Sequence, residues 1–295
     1  MNTIQRSVTA IDSHVHLNDE RTQQASSART RQMASYFGAG SKPTSIDEMA
    51  QYYRERNMLA VIMNSTDTFR TGNASVPNDH IADVVSQHPD VFRGFGVVDP
   101  RLGAVAVNEV RRCSRELGLL GIGELNPARQ HFYPHDVSLY PVWEAAAEEN
   151  LPVLFHGGYA AAGSGTRGGH GVKLKYARPM HLDDVAADFP ELTIICAHPS
   201  WPWESEALAV ALHKANVYMD LSGWAPKYMS PEVRKYVNSR VQDKVLFGSD
   251  WPGLDPDRWI REFDELGIKP EVRKKVMLEN ALSALGLQVE SASPA

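Results

Sequence analysis

Two histidines spaced two residues apart lie in the segment Asp12-Ser13-His14-Val15-His16, near the start of the chain. Alternate residues of a β-strand point to the same side, so a strand here would direct both imidazoles one way and Val15 the other. Imidazole nitrogens bind zinc, iron and manganese-like divalent ions. By itself this pair is a weak indication of a metal site, because histidines often recur at this spacing.

Three further apolar segments end in residue types that bind metals or transfer protons. LPVLFHGG carries His156, LTIICAHPS carries His198, and VLFGSDWP carries Asp250. A buried carboxylate such as that of Asp250 is costly unless it is paired or binds a metal. Four segments with the same kind of polar ending predict one shared site rather than four coincidences.

These segments belong to a regular alternation of strand and helix patterns. Eight β-rich runs are expected, and several are almost continuously apolar, as in strands buried on both faces of a parallel sheet. The expected strands are Val8–Ser13, Leu59–Asn64, Phe92–Val98, Gly118–Leu125, Pro152–His156, Leu192–His198, Val217–Leu221 and Val245–Asp250. The alternation predicts a closed parallel α/β barrel. A doubly wound open sheet is the alternative, but no glycine-rich phosphate loop follows the first strand.

A single (β/α)₈ TIM-barrel domain suits the 295 residues, since such barrels use about 250 residues as one domain. The barrel is expected over residues 8–285, with a final helix at Glu271–Leu285 and a disordered polar tail at 286–295. Long loops follow the first and fifth strands, at Leu17–Thr44 and Gly157–Pro179. Both follow carboxyl ends of strands, where barrel enzymes build their sites.

Composition narrows the classes of partner. The formal net charge is −6 without a basic stripe, which argues against nucleic acid or a membrane surface as the partner. The two cysteines do not make a disulfide framework. The first residues lack the apolar core of a signal peptide, and no run of about 18 apolar residues occurs. We therefore expect a cytoplasmic protein that acts on a small molecule.

The motifs H-V-H, F-H-G-G, A-H-P-S and G-S-D-W-P together resemble the amidohydrolase superfamily. The string HLDDVAADFPELTIICAHPSWPW, with VVDP and VYMDLSG, is similar to one branch of it. That amidohydrolase-related branch includes 2-amino-3-carboxymuconate-6-semialdehyde decarboxylase and the resorcylate-type decarboxylases. The resemblance extends from about Ile11 to Leu285. It implies one divalent metal ion, zinc first and manganese or iron as alternatives, and a homodimer.

The resemblance also implies roles for the residues at the strand ends. His14, His16 and His156 would bind the metal, and Asp250 would bind it or its water. His198 would act as a general acid or base beside it, or would bind metal as in binuclear relatives. The chemistry of the residues agrees, because such a metal lowers the pKa of bound water to about neutrality. A nearby carboxylate can accept a proton from that water, and imidazole exchanges protons at physiological pH.

The fourth strand departs from the pattern of many amidohydrolases, which carry a metal-bridging lysine there. In this chain the segment GLLGIGELNPARQHF has no lysine and offers Glu124. Glu124 resembles a residue that bridges two metals in TatD-type hydrolases. Three readings of Glu124 stay open: a ligand of a second metal, a hydrogen-bond partner of the substrate or of a ligand, or neither. One metal is the expectation.

Substrate contacts are expected from the loop after His156 and from tryptophans near strand ends. Arg167 and Arg178 could pair with a substrate carboxylate, with a solvated flexible loop as the alternative. Trp201 and Trp251 predict an aromatic wall for a small, flat organic molecule.

Two reactions fit the same residues. The first prediction is hydrolysis of an amide, ester or lactone by metal-activated water, with Asp250 as the base. The presence of Glu124 favours this reaction. Non-oxidative decarboxylation of a hydroxyaromatic or muconate-type acid is the alternative, and the family resemblance favours it. In that reaction His198 or Asp250 would supply the proton that replaces carbon dioxide.

Overall fold

The structure is a computed structural model that describes residues 3–25, 44–72 and 75–290. Its central sheet contains eight parallel strands, β2 to β9, in chain order, and a separate pair is formed by β1 and β10. The strands are β1 Thr3–Ile4, β2 Ala10–His16, β3 Met58–Met63, β4 Phe92–Gly96, β5 Gly121–Leu125, β6 Val153–His156, β7 Ile194–Ala197, β8 Val217–Asp220, β9 Val245–Leu246 and β10 Gln288–Val289. The predicted single-domain α/β barrel is confirmed.

Backbone hydrogen bonds join the first and last barrel strands. The Ser13 amide donates to the Phe247 carbonyl at 2.9 Å, and the Asp250 amide donates to the His14 carbonyl at 2.9 Å. Val15 forms a parallel bridge with Trp251. The sheet therefore curves into a nearly closed barrel, with β2 and the residues after β9 side by side.

The barrel strands are buried on both faces, which explains their continuous apolar sequences. In β3, Leu59, Val61 and Met63 belong to the cluster inside the barrel. Ala60 and Ile62 alternate with them and pack in the outer layer against the helices. Val15 of β2 also packs in the outer layer, as expected from its position between the two histidines.

Helices follow the strands and cover the outside of the barrel. They are Glu20–Ala25, Ile46–Glu55, Thr68–Thr71, Asn78–Gln87, Ala104–Arg115, Pro127–Gln130, Tyr140–Glu148, His181–Asp188, Glu204–His213, Pro231–Val237, Pro256–Asp264, Pro270–Lys274 and Asn280–Ala284, with a π-helical segment at Lys275–Glu279 between the last two. The helix Ile46–Glu55 begins with a capping box between Ser45 and Glu48.

The last helical segment closes the amino-terminal end of the barrel. Ala281 and Ala284 pack with Ile4 and Ile11 in the interior cluster. Asn280 Nδ2 donates to the Val245 carbonyl at 2.7 Å, at the start of β9. The final helix expected from the sequence therefore covers the bottom of the barrel.

The prediction of a disordered tail at 286–295 is wrong for the first residues of this segment. Gln288 and Val289 pair in parallel with Thr3 and Ile4, and the Glu290 amide donates to the Ile4 carbonyl at 2.9 Å. The apolar side chains of Leu285 and Leu287 are buried and hold this segment against the barrel bottom. Residues 291–295 lie outside the described part of the chain.

The two predicted long loops differ in how much of them is described. Most of the loop after β2, residues 26–43, lies outside the described residues. The loop after β6 contains a 3₁₀ turn at Leu174–Ala177 and, before it, an irregular turn at Arg167–Gly171 in which Gly168, Gly169 and His170 have positive φ. Both cysteines are free and buried. Among the described residues, no helix has the length and apolar character needed to cross a membrane.

Candidate metal centre

His14 is held by a carboxylate at the end of β8, Asp220. His14 Nδ1 lies 3.1 Å from Asp220 Oδ2, and both side chains are fully buried. A neutral imidazole in this position donates from Nδ1, so its Nε2 lone pair points away from Asp220. Burial alone would lower the pKa of His14, but Asp220 outweighs burial and raises this pKa to about 10. Burial would likewise raise the pKa of Asp220, yet His14 lowers it to about 2.

On the side of the ring away from Asp220, His14 lies close to His16 and Asp250. His14 Nε2 is 3.3 Å from His16 Nε2, and Asp250 Oδ1 is 3.3 Å from His16 Nε2 and 3.8 Å from His14 Nε2. Ligand atoms of these three residues all lie within 4.8 Å of one another. Burial would raise the pKa of Asp250, but its hydrogen bond with His16 and the nearby imidazoles lower it.

A second group adjoins the first and is centred on Glu124. Its Oε1 accepts a hydrogen bond from His156 Nδ1 at 2.6 Å, and its Oε2 lies 3.6 Å from His16 Nε2. His198 Nε2 lies 3.7 Å from Glu124 Oε1 and 3.0 Å from His156 Nδ1. Burial opposes ionisation of Glu124, but the surrounding imidazoles hold its pKa well below the usual range.

His198 is oriented by the residues that follow β8. Its Nδ1 donates to the Ser222 carbonyl at 3.0 Å, which leaves Nε2 facing Glu124 and His156. Burial alone would lower the pKa of His198, but the hydrogen bond towards Glu124 and the charge of Asp250 raise it. The imidazole therefore holds a proton more readily than its burial would suggest.

Unusual backbone conformations aim these side chains. His198 and Asp250 have φ values of 69° and 61°, a region that non-glycine residues rarely occupy. The residue beside them is Gly223, with φ +70°, where an added Cβ would lie 2.8 Å from His198 Nδ1 and 3.0 Å from Asp250 Oδ2. Strain of this kind concentrates at functional sites.

The donor set fits a divalent metal ion. His14 Nε2, His16 Nε2 and Asp250 Oδ1 direct lone pairs at one another, and such an arrangement is stable only with a proton or a cation between them. Imidazole nitrogens and carboxylate oxygens suit zinc, manganese and iron. The carboxylate of Asp220 behind His14 is the support that metal-binding histidines usually have.

The structure brings together every residue that the sequence placed at the strand ends. His14, His16 and Asp250 converge directly, whereas His156 meets the group through Glu124 and His198. Asp220 was missed as a site residue. The signal was present near the end of the seventh expected strand, Val217–Leu221, which carries the carboxylate of Asp220 at the same barrel face.

The residues that were expected to contact the substrate lie in different surroundings. Arg167 is exposed, and Arg178 forms an ion pair with Glu206 at the surface. Trp201 is 47% exposed and packs against Trp224 with ring centres 6.1 Å apart. Trp251 stacks on Tyr52 at 5.9 Å, and its indole nitrogen is buried without a partner among the described residues.

A protein-family model described as amidohydrolase matches residues 11–287 of this chain. The chain belongs to the amidohydrolase family. It is an enzyme of that superfamily, and the match covers all the barrel strands together with the closing helix. Curated relatives match as well. The γ-resorcylate decarboxylase of Polaromonas sp. strain JS666 is 24% identical over 266 residues, which are 76% of this chain and 79% of the relative.

The 2-amino-3-carboxymuconate-6-semialdehyde decarboxylase of Dictyostelium discoideum is 37% identical over 241 residues. That match covers 71% of this chain but 65% of the relative, just under two thirds of its length. These two relatives confirm the branch of the superfamily that was expected from the sequence.

Solved structures of similar fold include an uncharacterized TIM-barrel protein from Bordetella bronchiseptica, with a TM-score of 0.72 and 24% identity over 94% of this chain and 99% of that one. The 5-carboxyvanillate decarboxylase of Sphingomonas paucimobilis has a TM-score of 0.70 and 16% identity, covering 96% and 100% of the two chains. A dihydroxybenzoic acid decarboxylase of Polaromonas sp. JS666, with bound manganese and 2-nitroresorcinol, has a TM-score of 0.64 and 19% identity, covering 95% and 97%.

Proposed function

We propose that this protein is a metal-dependent decarboxylase of a small hydroxyaromatic or muconate-type carboxylic acid. The observation that carries the proposal is a metal-type donor set, His14, His16 and Asp250, that faces a separate protonatable residue, His198. The decarboxylases among the relatives support this reaction over hydrolysis, which was the first prediction from the sequence.

One divalent ion is proposed at this site. His14, His16 and Asp250 would bind it directly. His156, which the family resemblance makes a further ligand, has its Nδ1 towards Glu124 and its Nε2 3.2 Å from the Tyr159 carbonyl, so its ring would have to turn to bind the ion. One metal remains the proposal, because the hydrogen bond that Glu124 accepts from His156 at 2.6 Å gives this carboxylate a partner without a second ion. Zinc and manganese are both candidates, and the manganese in the Polaromonas structure adds support for the latter. When bound, the ion would anchor anionic substrate oxygens and withdraw charge from them.

Decarboxylation requires a proton at the carbon that loses its carboxylate. The carbon–carbon bond breaks, carbon dioxide leaves, and the electron pair stays on the substrate carbon. His198 Nε2 is the proposed proton donor, because Ser222 occupies the other ring nitrogen and nearby carboxylates raise the pKa of the ring. Trp201 and Trp251 are proposed to line the pocket for a flat substrate, and Arg167 and Arg178 remain weaker candidates for binding it.

Hydrolysis is the second candidate, and Glu124 is the residue that favours it. This buried carboxylate is ionised, and its Oε2 points towards His16 at 3.6 Å. A base in that position could accept a proton from an attacking water molecule. Both reactions use the same donor set, so the products must decide between them.

The deciding experiment uses the full chain loaded separately with Mn²⁺, Zn²⁺ or Fe²⁺, after the bound metal has been counted. Each form is screened against hydroxybenzoates, muconate-type acids and lactones. Decarboxylation predicts released carbon dioxide and, in D₂O, one deuterium at the carbon that lost its carboxylate. Incorporation of ¹⁸O from labelled water into the product, without carbon dioxide, would instead establish hydrolysis. Two bound metal equivalents would contradict the single-metal site.

The role of His198 has its own test. His198→Ala is expected to lower kcat by about 10² or more, the usual contribution of a general acid. His213→Ala is the matched control, because His213 is exposed on an outer helix. Normal turnover by His198→Ala would show that another group supplies the proton.

A cytoplasmic location and a homodimer are also proposed. The free, buried cysteines suit a reducing compartment. The dimer rests on the family resemblance alone, and light scattering of the purified chain would test it.

A further inference from the structure

Asp12 is a buried carboxylate that the proposed metal centre does not use as a ligand. It is fully buried, and a buried carboxylate is costly unless it is paired or hydrogen-bonded. Three donors reach it, namely the Tyr53 hydroxyl and the backbone amides of His14 and Ser249. The two amides belong to the segments that carry the metal-type donor set, so the position of this carboxylate affects the site.

One oxygen of Asp12 joins these two segments. Its Oδ1 accepts from the Ser249 amide at 2.8 Å and from the His14 amide at 3.4 Å. Ser249 immediately precedes Asp250 and lies beyond the end of β9. A backbone hydrogen bond from the Asp250 amide to the His14 carbonyl, at 2.9 Å, lies beside this contact. The backbones of His14 and Asp250 are therefore held together at two points, and the side chain of Asp12 forms one of them.

The strand β2 is irregular where Asp12 makes these bonds. Ala10 packs in the outer layer and Ile11 in the interior cluster, so the alternation of the strand directs Asp12 towards the helices. The pairing of β2 with β3 then shifts register between Asp12 and Val15. Such an irregularity leaves backbone groups without strand partners and can redirect a side chain. Asp12 supplies an acceptor for the His14 amide at this point, where the His14 ring turns to the candidate metal centre.

Tyr53 fixes the other oxygen of Asp12. It lies on the helix Ile46–Glu55, is 1% exposed and donates from its hydroxyl to Asp12 Oδ2 at 2.8 Å. A carboxylate that is bonded at both oxygens cannot rotate without breaking a hydrogen bond. The helix is itself packed against the barrel beside the site, because Tyr52 stacks on Trp251 with ring centres 5.9 Å apart. Tyr53 and Asp12 therefore connect this helix with both segments.

We propose that Tyr53 is a positioning residue of the metal centre, which acts through Asp12. The spacing that it sets is the separation of His14 and Asp250. The inference rests on the metal centre of the proposed function, but not on which reaction that centre catalyses. Without the Tyr53 hydroxyl, Asp12 Oδ2 would be buried without a donor, which is costly. The carboxylate would then turn away from the two amides, and the ligand atoms would lose their fixed separation.

Tyr53→Phe tests the inference, because it removes the hydroxyl and keeps the ring in the core. Competition titrations give Kd for Zn²⁺ and Mn²⁺, and visible absorption of the Co²⁺-loaded full chain reports the geometry of the ligands. We expect Kd to rise about 10-fold, the lower end of the range for outer partners of metal ligands, and the Co²⁺ band to change. A purely structural role would lower the melting temperature and leave both metal readouts unchanged.

Tyr140→Phe is the matched control, because the Tyr140 hydroxyl also donates to an aspartate, Asp188 Oδ2 at 2.6 Å, but at the exposed surface. This variant should bind metals as the wild type does. A second comparison repeats Tyr53→Phe in an Asp12→Ala background, where it should change neither Kd nor the Co²⁺ band further. Thermal melts establish that each variant is folded. If Asp12→Ala is not, the single variant Tyr53→Phe still decides.

Wild-type Kd values and an unchanged Co²⁺ band in Tyr53→Phe would overturn the inference. An equal loss of affinity with and without the Asp12 carboxylate would overturn it as well. Failure of the proposed function is seen separately. A wild-type chain that binds no metal would remove the metal centre and this role together. A chain that binds metal but releases carbon dioxide from no acid would remove only the decarboxylase, and the metal readouts would still decide the role of Tyr53.

Discussion

Asp220→Asn is the most direct probe of how the candidate metal centre is built. Asp220 Oδ2 faces His14 Nδ1 at 3.1 Å, while Oδ1 accepts from the amides of His198 at 3.0 Å and Ser222 at 2.8 Å. The two amide donors require the asparagine oxygen to take the Oδ1 position. The asparagine NH₂ then faces His14, whose Nδ1 must become an acceptor. His14 Nε2 consequently carries the proton and loses the lone pair that a metal needs.

The expected size of the effect follows from this change of tautomer. Loss of a carboxylate that supports a metal-binding histidine weakens metal affinity by about 10- to 100-fold. That factor corresponds to about 1.4–2.7 kcal/mol of binding free energy. The side-chain volume is almost unchanged and every backbone amide keeps its acceptor, so the barrel itself should remain folded.

The assay is a competition titration of Zn²⁺ and Mn²⁺ against a chromophoric chelator, with Kd as the measured quantity. Asp47→Asn is the matched control, because Asp47 pairs with His88 Nε2 at 2.8 Å but is 88% exposed and remote in sequence from the strand ends. Wild-type Kd values in Asp220→Asn would refute the assignment of His14 Nε2 as a ligand.

Two further outcomes are expected. Gly223→Ala should lower both metal affinity and kcat, because its Cβ would displace His198 and Asp250. Gly267→Ala is the matched control, because Gly267 has nearly the same φ, +71° against +70°, and no atom lies within 4 Å of an added Cβ. Both should lose about 1–2 kcal/mol of stability to the backbone strain, so equal Kd and kcat in the two variants would contradict the contact. Metal at 1,000-fold its Kd should raise the free energy of unfolding by about 4 kcal/mol. An unchanged melting temperature after chelation would contradict a site formed in the folded state.

The sequence predicted the main features of the barrel because its signals are local. Each barrel strand is a largely apolar run, and the carboxyl ends of the eight strands meet on one face together with the polar residues at or just after them. That rule was sufficient to place His14, His16, His198 and Asp250 in one region. It also applied to Asp220, whose run is shorter and whose carboxylate was not recognised as part of the site.

The details that the sequence did not predict depend on contacts between distant residues. The last barrel strand ends at Leu246 instead of Asp250, because the Phe247 amide donates to the Val276 carbonyl of the closing helical segment at 2.9 Å. Likewise, Glu124 accepts a hydrogen bond from His156, which lies 32 residues away in the sequence. Neither contact follows from the pattern of either segment taken separately.

The end of β8 connects the two halves of the site although it supplies none of the proposed ligands. Ser222 Oγ lies 3.1 Å from His14 Nδ1 and 2.9 Å from His198 Nδ1, and Asp220 contacts both residues as well. Metal binding through His14 and proton transfer through His198 therefore share the same supports. Because the supports are shared, substitutions at Asp220 and His198 should not be additive in kcat, and a double-mutant cycle would measure their coupling. Additive losses would mean that the two halves of the site act independently.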